Sequence, residues 1–573
     1  MGLQFAFLSQ FLLQLVVLSA VFIALYDIAK HTFHTDSMLA LCGAVCLLDL
    51  IGYAAFWVAF ANYAVFSVIK IIALALLLIR FALVIYWRRL PSLLRQVGEP
   101  LLYVFLFSGV VLTLGFSNGG LDAPTSTAAI RFSHQLPPDN IIPMILAEGL
   151  SLSHIPSPLL GDWLSSDRPP LQTGLYIALA IQTGAFGYQI VASWLQATLL
   201  FGVWAVAVAV DLPTRARRLV VLACCLVPDV IINTFFTWPK LITVDALMLI
   251  FVLLFCYRAA DEREQKIAGV MLGGLTAFAM LSHGSSAFAL IGLAATVFVA
   301  WRCPTWKTLL YAIPSLAVLY GSWIAYQTFV DPPGNRLLKW HLAGVNGKVD
   351  ARGFLQALHD AYGALSWNDY VHGRWINLLT QVGPWPRHLL DLVRAIVSPN
   401  PDLLRSIRVN DFFYLVPSLH IFSIGVIVAL VFCLIPRLAW RRQKMAALLL
   451  FAASAWSCLA AVVLDFIPGS AVNHQSTYAV QVMAVTGAFI MLSLNSLPLA
   501  IAFIALQTIT VATVYGITLP YDPSFLPMQL SSIAATTAIF AYSLIPLIRP
   551  QIGTGSEIWP AHDGDLVTGR QRR

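Results

Sequence analysis

Residues 168–187 read RPPLQTGLYIALAIQTGAFG, an apolar run entered through Pro169-Pro170 and left through Gly184 and Gly187. Whether it crosses a membrane decides how everything downstream is threaded. Around it the chain carries candidate spans near 6–27, 37–62, 64–87, 99–116, 186–210, 219–236, 241–258, 267–282, 285–301, 307–330, 414–436, 443–466, 476–493, 498–516 and 529–548. Basic clusters flank these spans: Arg88-Arg89 with Arg95, Arg215 with Arg217-Arg218, Arg258 to Lys266, Arg302 to Lys307, Arg437 to Lys444, and the tail from Arg549. The excess of Lys and Arg in cytoplasmic loops puts all of them on the inner side. They share that side only if residues 170–185 do not cross completely. The expectation is a half-buried or re-entrant helix, which a membrane protein tolerates where the segment lines a cavity inside the protein. A full crossing is the alternative; it would invert the downstream topology and place the 331–413 loop inside.

Composition sets the class. With 573 residues, 59% apolar and 11% charged, and a mean hydropathy of +0.80, no globular surface could hide the apolar area. Apolar runs near the length of a bilayer crossing argue for helices, because outer-membrane barrels show ten-residue alternating segments instead. The expected fold is therefore all-α, a polytopic membrane bundle of about fifteen transmembrane helices. The formal charge of +7 comes from clusters beside spans, which is a topology signal rather than a nucleic-acid surface, so no nucleic-acid partner is expected. Met1-Gly2-Leu3-Gln4 lacks a basic lead-in and no small-residue cleavage pattern follows, so the first helix is expected to be retained. Ala6 argues against myristoylation at Gly2. The eight cysteines sit in or beside apolar runs, and neither a disulfide framework nor a zinc site is indicated.

The chain divides into N-terminal extra helices (1–98), a membrane module (99–330) containing a hydrophilic loop at 117–185, a loop at 331–413, C-terminal helices (414–548) and a cytoplasmic tail (549–573). The 331–413 loop is too long for an ordinary connector and carries helical patterns at GFLQALHDAYGAL and HLLDLVRAIV. It is expected to be a small ordered cap. On this topology residues 117–185, 331–413 and the turns at 237–240, 282–285, 468–475 and 518–528 share one compartment.

The first loop holds Asp122, Arg131, His134, Asp139, Glu148, His154, Asp162, Asp167 and Arg168. Within QLPPDNIIPMILAEGL (135–150), Pro143 suits the first turn of a short helix ending near Gly149. On spacing alone Asp139 is equally well read as a capping carboxylate beside a helix dipole. Asp167-Arg168 next to Pro169-Pro170-Leu171 is equally well read as a structural ion pair.

An acidic position after a span, a short helix with Ala147-x-x-Leu150, then Gly161-Asp162-Trp163 and a charged residue before Pro169-Pro170-Leu171 resembles, in that order, the first exoplasmic loop of GT-C glycosyltransferases. These multi-span enzymes take a sugar from a polyprenyl-phosphate carrier; bacterial lipid A aminoarabinose transferases and protein O-mannosyltransferases belong to the group. The resemblance covers roughly residues 99–300. It implies a GT-C-like bundle in the bacterial inner membrane with its active site facing the periplasm, a polyprenyl-phosphate-linked sugar donor, and a glycan, lipid or protein acceptor. It matches Asp139 to the loop aspartate at the reaction centre and Arg168 to the charged position before Pro-Pro-Leu. Two departures stand out: Asn140 follows Asp139 where the family pattern has a second acid, and about three extra spans precede the matching region.

Transfer from a lipid phosphate needs a carboxylate to take the acceptor's proton and cations to stabilise the departing phosphate. Asp139 is the candidate base and Asp167 the second choice. Lys240, in FFTWPKLITVDAL at the outer end of a span, is the candidate donor-phosphate ligand, although such a lysine is commonly a snorkelling anchor. Asp229 and Asp245 would mark the bundle interior. His283, Arg336, Lys339, His341 and His474 lie at turns expected on the same side and are, with Arg168, further candidates to bind donor phosphate or substrate; taken singly, each histidine is more often a plain polar contact. No metal is expected, because the loop carboxylates form no tight acidic cluster and lysine or arginine can neutralise one phosphate. Asp563-Gly564-Asp565 reads as solvated tail. No GxxxxGK, HExxH or CxxC pattern occurs. Two other classes remain open. An O-antigen-type polymerase or ligase would depend on loop arginines such as Arg336, Arg352, Arg374 and Arg387. A transporter or flippase of lipid-linked glycans would depend on ionisable groups in mid-span and paired repeats.

Overall fold

Every backbone amide inside a bilayer must find its partner within the chain, and a helix does so locally. A computed structural model gives that result. It describes residues 2–517 apart from 34, 118, 133–135, 302–303, 346–349, 436–440 and 471–476, with backbone only for 2–6, 441 and 477. Helices account for the regular structure of the described residues, with one isolated bridge between Leu160 and Trp163. Among the described residues, ten helices are long and apolar enough to cross a membrane, and eleven if the bent pair Thr214–Cys225 and Pro228–Phe236 counts as one span. The bend of 62° in that pair falls at Pro228. Proline removes an amide donor and pushes the residue before it off the helical backbone, and Val227 is indeed extended.

Three expected spans correspond to shorter helices. The stretch at 241–258 is Lys240–Phe251 continued by the turn Val252–Cys256; those at 285–301 and 414–436 are Ser286–Val299 and Phe422–Leu434. The expected span at 529–548 and the tail lie outside the described residues.

The segment that decides the threading, 168–187, breaks into two pieces. Leu171–Leu179 is a buried helix, and Ala185–Ala197 begins a new one after a turn at Gly184, whose φ of +94° only glycine adopts easily. Nine residues at about 1.5 Å each rise about 13 Å, less than half of a ~30 Å hydrocarbon core, so Leu171–Leu179 is too short to cross alone. It lies against the Ser37–Ala61 helix so closely that a Cβ on Gly174 would sit 1.9 Å from the Gly52 carbonyl oxygen. Small residues permit this approach, and in lipid such packing, rather than the hydrophobic effect, holds helices together.

The bundle has a centre and a rim. Ala185–Ala209 is wholly enclosed, packing on Lys240–Phe251 and Thr214–Cys225, whereas few residues of Tyr63–Tyr86 and Trp306–Phe329 are fully buried and the latter packs on Glu262–Ser282.

The two ends differ in charge. At one end the basic clusters are tied side by side. Arg80 and Arg89 meet Asp27, Arg218 meets Glu99, Lys307 meets Glu262, Arg263 donates to the Phe33 carbonyl and Arg442 meets Asp211. At the other end the two polar loops meet: Asp331 accepts from the Ser165 hydroxyl at 2.6 Å and the Ser166 amide at 2.9 Å, and Arg336 pairs with Asp167 at 2.6 Å. Loop 117–185 and the 331–413 cap therefore share one end, opposite the basic clusters. The cap is ordered as helices, among them Trp367–Val382, Trp385–Val397 and Pro401–Phe413.

Candidate functional site

Pro137 and Pro138 set up a 3-10 turn, Pro138–Ile141, that runs into the Ile142–Ser151 helix and leaves Asp139 buried at the turn. Its carboxylate does not cap that helix. It pairs with the Arg168 guanidinium, itself buried. The ion pair read from sequence thus forms with a different partner. Arg168 has an extended backbone just after the 3-10 turn that holds Asp167, and the two neighbours take different partners. Asp167 instead accepts from the Leu164 amide at 2.8 Å and pairs with Arg336, which also reaches Asp162 at 3.0 Å. Burial raises the Asp167 carboxyl above its usual range against the pull of the Leu164 amide and Arg336. Burial likewise lowers Arg168, while Asp139 and Asp167 favour its charge.

Aromatic rings carry the cations. Arg168 lies 4.1 Å from the centroid of Trp163 and 5.8 Å from that of Trp238. Lys240 stands 3.5 Å from the Trp238 centroid and 4.6 Å from that of Tyr478. Two positive groups therefore share one indole, which attracts cations through its face. The local chain explains how: Thr237 ends the Pro228–Phe236 helix in the left-handed conformation, and Trp238-Pro239 turns directly into the Lys240–Phe251 helix. Beside Lys240 is a small cleft lined by Thr243, His283, Ser285 and Tyr478. His283 stacks edge-on to Trp238, and its Nδ1 is 2.8 Å from the Ser285 hydroxyl. Asp229, at the start of the preceding Pro228–Phe236 helix, accepts from Gln481 at 2.5 Å.

A buried polar relay fixes the Asp139 turn relative to Lys240. Tyr188 donates to the Asn140 carbonyl at 2.6 Å and accepts from Gln172 at 2.7 Å. Gln172 also donates to the Thr237 carbonyl at 2.8 Å and accepts from Gln196, whose oxygen takes the Leu241 amide at 3.0 Å. Buried amides and hydroxyls left unpaired are costly, so this relay holds one geometry.

No family model, curated protein or solved structure matches this chain. The reading of the site accordingly rests on its own geometry.

The structure brings together Asp139, Asp167, Arg168, Lys240, His283 and Arg336, with His341 alongside. Burial, together with Arg168 and Lys240, lowers His341 to about 4, so it is neutral at pH 7. Lys339 stays apart: it donates to the Asp350 and Arg352 carbonyls and fastens the cap. His474 and His134 lie outside the described residues. Asp122, Glu148, His154 and Asp162 are on the surface. Asp245 is interior, accepting from the Gly202 amide at 2.9 Å. The loop arginines are occupied with structural bonds: Arg336 as above, Arg352 with Asp350 and Asp360, Arg374 with the Val463 and Phe466 carbonyls, and Arg387 beside Asp391 at 3.8 Å. Sequence reasoning gave Trp163 no role beyond the Gly161-Asp162-Trp163 motif and passed over Tyr478 and Gln481. Nothing in the spacing of the last two marks them, since they come from a helix over 200 residues away.

Proposed function

We propose that the protein is a GT-C-type membrane glycosyltransferase. It takes a sugar from a polyprenyl-phosphate donor, at an active site facing the periplasm from the bacterial inner membrane, and delivers it to a glycan, lipid or protein acceptor. The observation that carries this reading is one buried carboxylate, Asp139, held against the Arg168 guanidinium, which lies near the Trp238 ring as does a second basic group, Lys240. That is the inventory of the reaction: a proton acceptor beside a place for one phosphate.

In the transfer, the acceptor oxygen bonds to the sugar's anomeric carbon, the bond from that carbon to the phosphate oxygen breaks, and the acceptor's proton passes to Asp139. Lys240 and Arg168 take up the charge on the leaving polyprenyl phosphate. The polymerase or ligase reading is less well supported, because the loop arginines it would use already hold Asp162, Asp167, Asp350, Asp360 and backbone carbonyls.

The test is transfer from a panel of polyprenyl-phosphate sugars by purified protein, with and without Lys240→Ala. Donor KM is expected to rise and kcat to fall; unchanged donor kinetics in the variant would leave Lys240 a membrane anchor.

A further inference from the structure

Away from the Asp139 cluster, three chemistry-bearing side chains close on one buried point. We infer that His388, Asp411 and His420 form a binding site for one divalent transition-metal ion, of which zinc is the best match. Their candidate ligand atoms lie within 4.8 Å of one another. His388 Nε2 is 3.1 Å from Asp411 Oδ1, and His420 Nε2 is 2.8 Å from the same carboxylate. All three side chains are fully buried.

His420 Nε2 lies 2.8 Å from both Asp411 oxygens, and its Nδ1 is 3.4 Å from the Thr510 hydroxyl. His388 Nε2, 3.1 Å from Asp411 Oδ1, makes no well-directed hydrogen bond among the described residues, and its Nδ1 is 3.5 Å from the Asn410 amide nitrogen. Tyr515 donates to Asp411 Oδ2 at 2.5 Å. A cation bound between the two rings and the carboxylate takes the place of the protons that otherwise bridge them. Hydrogen-bonded outer partners that orient metal-binding histidines are the usual support of such sites.

Two imidazoles and one carboxylate suit zinc-class ions better than magnesium or calcium, which prefer oxygen alone. Complete burial points to a structural role rather than a catalytic one. His388 and Asp411 come from the cap helices Trp385–Val397 and Pro401–Phe413, while His420 follows the Pro417–Leu419 turn with a φ of +48° that a histidine seldom adopts. The ion joins the cap to the C-terminal helices. Two residues before His420, the Ser418 hydroxyl holds Gln481, the partner of Asp229, so the same clamp fixes a wall of the Lys240 region.

Metal content tests this without any activity assay. Full-length protein carrying a tag without histidines, purified in detergent from zinc-replete cells, is expected to hold one zinc per chain by mass spectrometry, and His420→Gln and His388→Gln to lose it. A strong chelator is expected to lower Tm, and added Zn²⁺ to restore it. Co²⁺ in place of zinc is expected to give visible ligand-field bands, with a sulfur-to-cobalt charge-transfer band appearing in His388→Cys. Wild-type protein that binds neither Zn²⁺ nor Co²⁺ at equimolar level, or zinc retained in both glutamine variants, overturns the site in favour of a proton-bridged cluster or an adventitious ion.

Discussion

Replacing Asp139 by Asn separates two roles that the structure joins in one carboxylate. Asn keeps an acceptor for Arg168 but removes the charge, leaving a buried guanidinium without its nearest counter-charge. Breaking a buried pair by removing one partner costs about 3–5 kcal/mol, and the retained acceptor places Asp139→Asn near the lower figure. Loss of a general base costs about 10²- to 10⁴-fold in rate, or about 3–5 kcal/mol on the barrier. The two effects are similar in size, so a single variant cannot assign them. A double-mutant cycle with Arg168→Gln can. If Asp139 only positions Arg168, then Arg168→Gln already forfeits that contribution and adding Asp139→Asn costs no further activity. If Asp139 takes the proton, the double variant turns over at least about 100-fold more slowly than Arg168→Gln alone, while its Tm recovers relative to Asp139→Asn because no unpaired charge remains. Turnover is read as sugar transferred from the polyprenyl-phosphate donor, and stability as Tm in detergent. A double variant that matches Arg168→Gln in kcat refutes the base assignment.

Three further outcomes follow from the geometry. Gly174→Ala places a methyl 1.9 Å from the Gly52 carbonyl oxygen; overpacking of this kind costs about 1–3 kcal/mol, so Tm and folded yield fall, and an unchanged Tm would mean that the two helices do not cross there. Tyr188→Phe deprives the Asn140 carbonyl of its donor and the Gln172 amide of an acceptor, at about 1–3 kcal/mol for each buried group left unpaired. It is expected to lower kcat as well as Tm, because the Asp139 turn loses its tie to Lys240. His341, lowered to about 4 by burial with Arg168 and Lys240, is neutral in the fold and charges more readily when unfolded, so the unfolded chain binds the extra proton between pH 6.5 and 4. Stability contributed by neutral His341 is therefore present above pH 6.5 and lost as pH falls toward 4, by up to about 3 kcal/mol. His341→Gln is expected to flatten the Tm-versus-pH curve in that window; an identical slope in the variant would place the titration elsewhere.

The amino-acid sequence on its own determined the class of molecule and the sidedness of its polar segments. Hydropathy dictates helices in lipid regardless of packing, and the basic clusters, each local to a span, announce one shared end. The broken segment at 168–187 was legible for the same reason, since the prolines before it and the glycine after it act on the backbone where they stand. Tertiary structure decided which charge meets which. Adjacent Asp167 and Arg168 sit where a 3-10 turn gives way to extended chain and find partners 169 and 29 residues away. Lys240 meets Tyr478 across more than two hundred residues, and His388, Asp411 and His420 converge from two cap helices and a strained turn. Contacts of that range are set by how helices cross, and a crossing such as Gly52 on Gly174 depends on the fit of two surfaces that no local pattern encodes.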